Sequence, residues 1–83
     1  MSTAYTNLYE ITELQQKIMR YIDYWVHVEK TPIPRKEVIE QMKKRKQKER
    51  TVEKALDVLL ELGYLRRAVG TSNKTFYVML RRI

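Results

Sequence analysis

Between residues 43 and 54, seven of twelve side chains are lysine or arginine: Lys43, Lys44, Arg45, Lys46, Lys48, Arg50 and Lys54. Cations at that density suit one chemistry above others, the pairing with a polyanion whose counterions they displace. The run passes directly into an apolar series, Val52, Ala55, Leu56, Leu59, Leu60 and Leu62, spaced as one face of a helix. A helix held to a core by that face, with cations crowded at its N-terminal end, is suited to lying against phosphate, and the stretch reads as a nucleic-acid recognition element. Its outward side mixes Arg50 and Lys54 with Glu53, Asp57 and Glu61, so the strongest positive charge falls in the turn before the helix.

Other chemistries lack their residues. There is one histidine, no cysteine, serine only at 2 and 72, and no glycine-rich phosphate loop, which argues against an enzyme. Asp23 and His27 stand four apart on one helix face without a third ligand in view, so neither a metal nor any other cofactor is expected, and no small-molecule effector is evident. Trp25 and the tyrosines are not interleaved with the basic run, which assigns them to core and interface before base stacking.

The charge balance points the same way. Net charge is +7, but residues 1–34 carry three basic against four acidic side chains, whereas residues 35–83 carry fourteen against six, a net of +8. The positive field belongs to the second part alone, as expected when one face meets a polyanion. Eighty-three residues make one domain, of a size that buries only about 60% of its unfolded surface. No apolar run approaches the roughly 20 residues that span a bilayer, and the N-terminus lacks a signal-peptide pattern, so a soluble, cytoplasmic protein without membrane contact is expected.

The elements that position the basic run follow from periodicity. Residues 1–6 read as a flexible tail and 7–83 as the domain. Asn7 and Glu10 have capping-box spacing, and Leu8, Ile11, Leu14, Ile18, Ile22 and Trp25 predict helix 1 over about 7–29, ended by Pro32 shortly beyond. Its apolar arc spans about 180°, wider than the stripe a single core requires. Helix 1 is therefore either wedged between other elements or shared with a second copy through Leu14, Tyr21, Trp25 and Val28. Thr31-Pro32-Ile33-Pro34 reads as an extended connector with Ile33 turned inward. Helix 2 starts at Pro34 or Arg35 on Val38, Ile39 and Met42, and ends within 43–48. Helix 3 runs from about Gln47 to Gly63. Two β-prone runs, 64–69 and 75–80, flank the polar loop Gly70-Thr71-Ser72-Asn73-Lys74 and describe a hairpin, with Phe76, Val78 and Leu80 facing one way and Thr75, Tyr77 and Met79 the other.

That order, helix, extended piece, helix, helix, hairpin, is α+β and mostly α, and the chain resembles a winged helix-turn-helix domain. The likeness rests on Pro34–Met42 for helix 2, on Thr51-Val52-x-x-Ala55-Leu56-x-x-Leu59-x-x-x-Gly63-x-Leu65 for the recognition helix and its exit, and on the hairpin 64–80 for the wing. The resemblance is to a superfamily of small bacterial, archaeal, plasmid and viral regulators. It implies that helix 3 enters the major groove, that the start of helix 2 touches phosphate, and that the wing meets an adjacent groove or backbone. Where the family shows a small or glycine turn with a serine or threonine cap, this chain has lysines and arginines, so either helix 2 is extended or the turn is longer.

On this resemblance the chain is expected to be a transcriptional regulator that binds double-stranded DNA sequence-specifically as a homodimer through helix 1. Gln47, Arg50 and Lys54 are assigned to base edges; Arg35, Lys36, Lys44, Arg45, Lys46, Lys48 and Thr51 to the DNA backbone; Arg67, Ser72, Asn73 and Lys74 to the wing. Glu53 either accepts from a cytosine amino group or, as the reading preferred here, pairs with a neighbouring cation. The alternative is a winged helix used for protein interaction, for instance in a replication complex, with only non-specific affinity for nucleic acid.

Overall fold

The computed structural model describes residues 11–82. Within them, helix α1 spans Glu13–Glu29 and begins at a capping box. The Thr12 hydroxyl accepts from the Gln15 backbone N–H at 3.2 Å, and Gln15 Oε1 accepts from the Thr12 N–H at 2.8 Å. This box holds Thr12 extended and starts the helix at 13, a correction to the start expected near 7, and the pattern Thr-x-x-Gln signals it in the sequence. The Asn7–Glu10 pair and the 1–6 tail lie outside the described residues.

Strand β1 (Ile33–Pro34) follows, then helices α2 (Arg35–Lys44) and α3 (Glu49–Glu61), then strands β2 (Leu65–Val69) and β3 (Thr75–Met79). The proline at 34 has extended backbone and stands just before α2, where a missing N–H costs nothing. The two-residue connector is a true strand: Ile33 pairs with Tyr77 and Pro34 with Phe76, giving an antiparallel sheet in the order β1-β3-β2. The wing therefore rests on a third strand that the sequence shows only as an inward-facing Ile33.

Each helix is ended by a left-handed residue, and only one of the three is glycine: Lys30, Lys46 and Gly63. The last two close Schellman motifs. After α2, Gln47 N–H donates to Met42 and Lys46 N–H to Lys43; after α3, Tyr64 N–H donates to Leu59 and Gly63 N–H to Leu60. The hairpin loop is closed by Gly70 N–H donating to the Lys74 carbonyl at 2.9 Å. Gly70 has no room for a side chain, since a Cβ there would sit 2.6 Å from the Phe76 ring.

The core gathers Ile18, Met19 and Ile22 of α1, Ile33, Val38 and Met42, Val52, Leu56 and Leu59 of α3, and Tyr64, Leu65 and Tyr77 of the hairpin, all at most 2% exposed. Each large side chain so buried contributes about 1.5–3 kcal/mol. Pairing sets Ile33, Tyr77 and Arg67 on one face of the sheet, so the Tyr77 face turns inward and the Phe76–Val78 face outward. The architecture is α+β, three helices with a C-terminal hairpin in a winged-helix arrangement. Among the described residues no helix is long and apolar enough to cross a membrane.

Candidate nucleic-acid interface

The apolar face of α3 is Val52, Ala55, Leu56 and Leu59. At 100° per residue, the opposite face carries Arg50, Lys54, Asp57 and Glu61, all exposed. Arg50 and Lys54 thus stand on the side of α3 turned away from the core, in its first two turns, with the two carboxylates further along. Thr51 is exposed on one flank and Glu53 lies half-buried on the other, toward α2.

Helix α3 begins at Glu49, not at Gln47, because the Schellman closure of α2 draws in the backbone of residues 45–47 and leaves Lys48 as an extended N-cap. Gln47 therefore belongs to the turn, is half-buried, and does not share the outward face of α3 with Arg50 and Lys54. The turn is short: α2 ends at Lys44, and Arg45, Lys46 and Gln47 separate it from the N-cap Lys48 of α3. Lys43 Nζ and Glu49 Oε1 lie 3.5 Å apart and tie the two sides of the turn together.

The first residue of α2 is held inward. Arg35 Nη2 donates to Glu53 Oε2 at 2.9 Å, and Nη1 donates to the Tyr77 hydroxyl at 2.7 Å. Burial works against the charged guanidinium, but the hydrogen bonds from Arg35 to Tyr77 and Glu53 outweigh it and hold its pKa above the ordinary value. Arg35, expected at phosphate, thus has both terminal nitrogens hydrogen-bonded within the molecule. Glu53 pairs with a cation as expected, but with Arg35 rather than with its helical neighbours.

The groove between α2 and α3, about 390 Å³, is lined by Arg35, Lys36, Lys43, Glu40, Glu49 and Glu53, and its charges are paired. Outside it stand Lys44, Arg45, Lys46, Lys48, Arg50 and Lys54, exposed and making no ion pair among the described residues. On the other side of α2 a groove of about 530 Å³ brings Lys36 and Lys74 to its walls, so the loop end of the wing and the first turn of α2 share one surface. Arg67, Ser72, Asn73 and Lys74 are exposed, and Ser72 and Asn73 both have left-handed backbone at the tip.

The wide apolar arc of α1 is filled largely from within the chain. Leu14, Tyr21 and Trp25 pack against the core, and the Trp25 indole nitrogen is buried. The Tyr21 hydroxyl donates to Glu37 Oε1 at 3.0 Å, joining α1 to α2. Of the four residues assigned to a dimer interface only Val28 is exposed, at 56%. His27 and Asp23 form an exposed pair at 3.9 Å, and no group of three or more histidine or carboxylate residues able to hold a metal occurs among the described residues.

No protein-family model matches the chain, and no curated protein and no solved structure shows significant similarity to it.

Proposed function

We propose that the protein is a sequence-specific double-stranded DNA-binding regulator of the winged helix-turn-helix kind, with α3 in the major groove and the β2–β3 hairpin as wing. One observation carries the reading. The carboxylates nearest the turn, Glu40, Glu49 and Glu53, are each matched by Lys36, Lys43 or Arg35, which leaves Lys44, Arg45, Lys46, Lys48, Arg50 and Lys54 as an uncompensated cationic surface on and before a helix anchored by its opposite face. Arg50 and Lys54 are the base readers in this account; Lys36, Lys44, Arg45, Lys46, Lys48, Thr51 and Lys74 hold phosphates, and Arg67, Ser72 and Asn73 complete the wing. A homodimer places one α3 in each half-site, with Val28, of the four interface candidates on α1, left open to a second copy, and the setting is the cytoplasm.

The test is an anisotropy titration against duplex DNA over a range of salt. Neutralising about five to eight phosphates gives a log–log slope of about −5 to −7. A slope near zero refutes the reading in favour of protein assembly.

A further inference from the structure

Tyr21 and Tyr24 stand well apart in sequence from the basic run, but the fold brings them to it. They line one cleft of about 610 Å³ together with Lys17, Arg20 and Arg45, the last a member of the basic turn. We propose that this cleft is a second nucleic-acid site, distinct from the duplex-reading face of α3, that takes a single-stranded segment with a base against Tyr24 and its phosphates on Arg20 and Arg45.

Three features suit it to that ligand. Tyr24 is 61% exposed, a large aromatic left in water, and it belongs to a tilted pair with Tyr21, ring centroids 6.3 Å apart and planes at 30°. The Tyr21 ring is held by its hydrogen bond to Glu37, so one wall of the cleft is fixed before any ligand arrives. Glu13 lies 3.9 Å from Lys17, Glu37 Oε1 accepts from both Tyr21 and Gln41, and Asp23 lies 3.9 Å from His27, while Arg20 and Arg45 make no ion pair among the described residues. Aromatic faces beside a cationic track are the general means of holding single strands, because unstacked bases offer a π-face that a duplex keeps inside its stack. Arg45 links the cleft to the turn, so the positive surface continues from α3 around to α1.

The experiment is a pair of anisotropy titrations, one with labelled oligodeoxythymidylate and one with labelled duplex, on the full chain and on Tyr24→Ala, Tyr24→Phe, Arg20→Ala and Arg50→Ala. Tyr24→Ala and Arg20→Ala are expected to weaken single-strand binding about fivefold or more while holding duplex affinity within about twofold, and Tyr24→Phe to restore it. Arg50→Ala is expected to do the reverse, and if it changes nothing the duplex reading fails while this one stands. Absence of single-strand binding, or a parallel loss of both ligands in Tyr24→Ala, overturns the proposal. So does sedimentation showing that Tyr24→Ala dissociates a dimer with single-strand affinity unchanged, which would make the cleft an interface between copies.

Discussion

Arg35 and Glu53 join the first turn of α2 to the first turns of α3, Nη2 to Oε2 at 2.9 Å, and the same guanidinium reaches strand β3 through the Tyr77 hydroxyl. One side chain thereby fixes the relative placing of three elements. The angle at which α3 leaves the turn is thus set inside the protein, which on the proposed function would preorganise α3 for reading DNA.

Arg35→Ala is expected to cost about 1–2 kcal/mol in urea unfolding, the range of a partly buried charged hydrogen bond. A double-mutant cycle with Glu53→Ala should give a coupling of about 0.5–1.5 kcal/mol. The salt slope of duplex binding should not change in Arg35→Ala. A slope less steep by about one would mean that the guanidinium leaves Glu53 for a phosphate.

Arg50→Ala and Lys44→Ala are expected to differ in kind. Removing Arg50 narrows the gap between a preferred duplex and a scrambled one, by about 1–3 kcal/mol if it makes a bidentate contact to guanine. Removing Lys44 weakens both duplexes alike and lowers the salt slope by about one. Competition titrations with the two duplexes measure both effects.

Lys46 holds a left-handed backbone at φ 65°, the position that glycine fills after α3. Lys46→Gly removes a local strain of about 1 kcal/mol and increases the freedom of the unfolded chain by a similar amount, so stability should stay within about 1 kcal/mol. Duplex affinity should still fall, because the charge is gone. Lys46→Ala keeps both the strain and the unfolded-chain entropy of the parent and loses the charge, so thermal melts should leave it within about 1 kcal/mol of the parent while duplex affinity falls as in Lys46→Gly.

Burial, followed by the hydrogen bond to Glu37 and the charge on it, pushes the Tyr21 hydroxyl up from 10.0 to about 12. Folding favours the protonated form, so this contribution is fully present below pH 10 and is lost as pH rises through 12. Tyr21→Phe should cost about 1 kcal/mol near neutral pH, and its deficit against the parent should shrink across that alkaline window. Urea melts at stepped pH decide it; a deficit that does not change with pH places the effect in packing alone.

The helices, the hairpin and the basic run were legible because their signals are local. Apolar spacing marks the faces of α1, α2 and α3, glycine marks the exit at 63, and cations in consecutive positions are visible without a fold. The start expected near residue 7 rested on Asn7 and Glu10, whereas the capping box of Thr12 and Gln15, which starts α1 at Glu13, went unread in the sequence. The turn after α2 was harder, because a lysine in left-handed conformation carries no signature of its own.

By itself the sequence determined the order of elements, the α+β class and the concentration of positive charge in residues 43–54, since each depends on neighbours in the chain. Only the tertiary structure decided which charges are compensated and which are left over. Arg35 meets Glu53 and Tyr77, and Tyr21 meets Glu37, pairings between residues far apart in sequence, while Arg45 comes to line one cleft with Tyr24. Coulomb attraction and hydrogen bonding act over a few ångströms of space and take no account of sequence separation, so they are fixed only when the helices are packed.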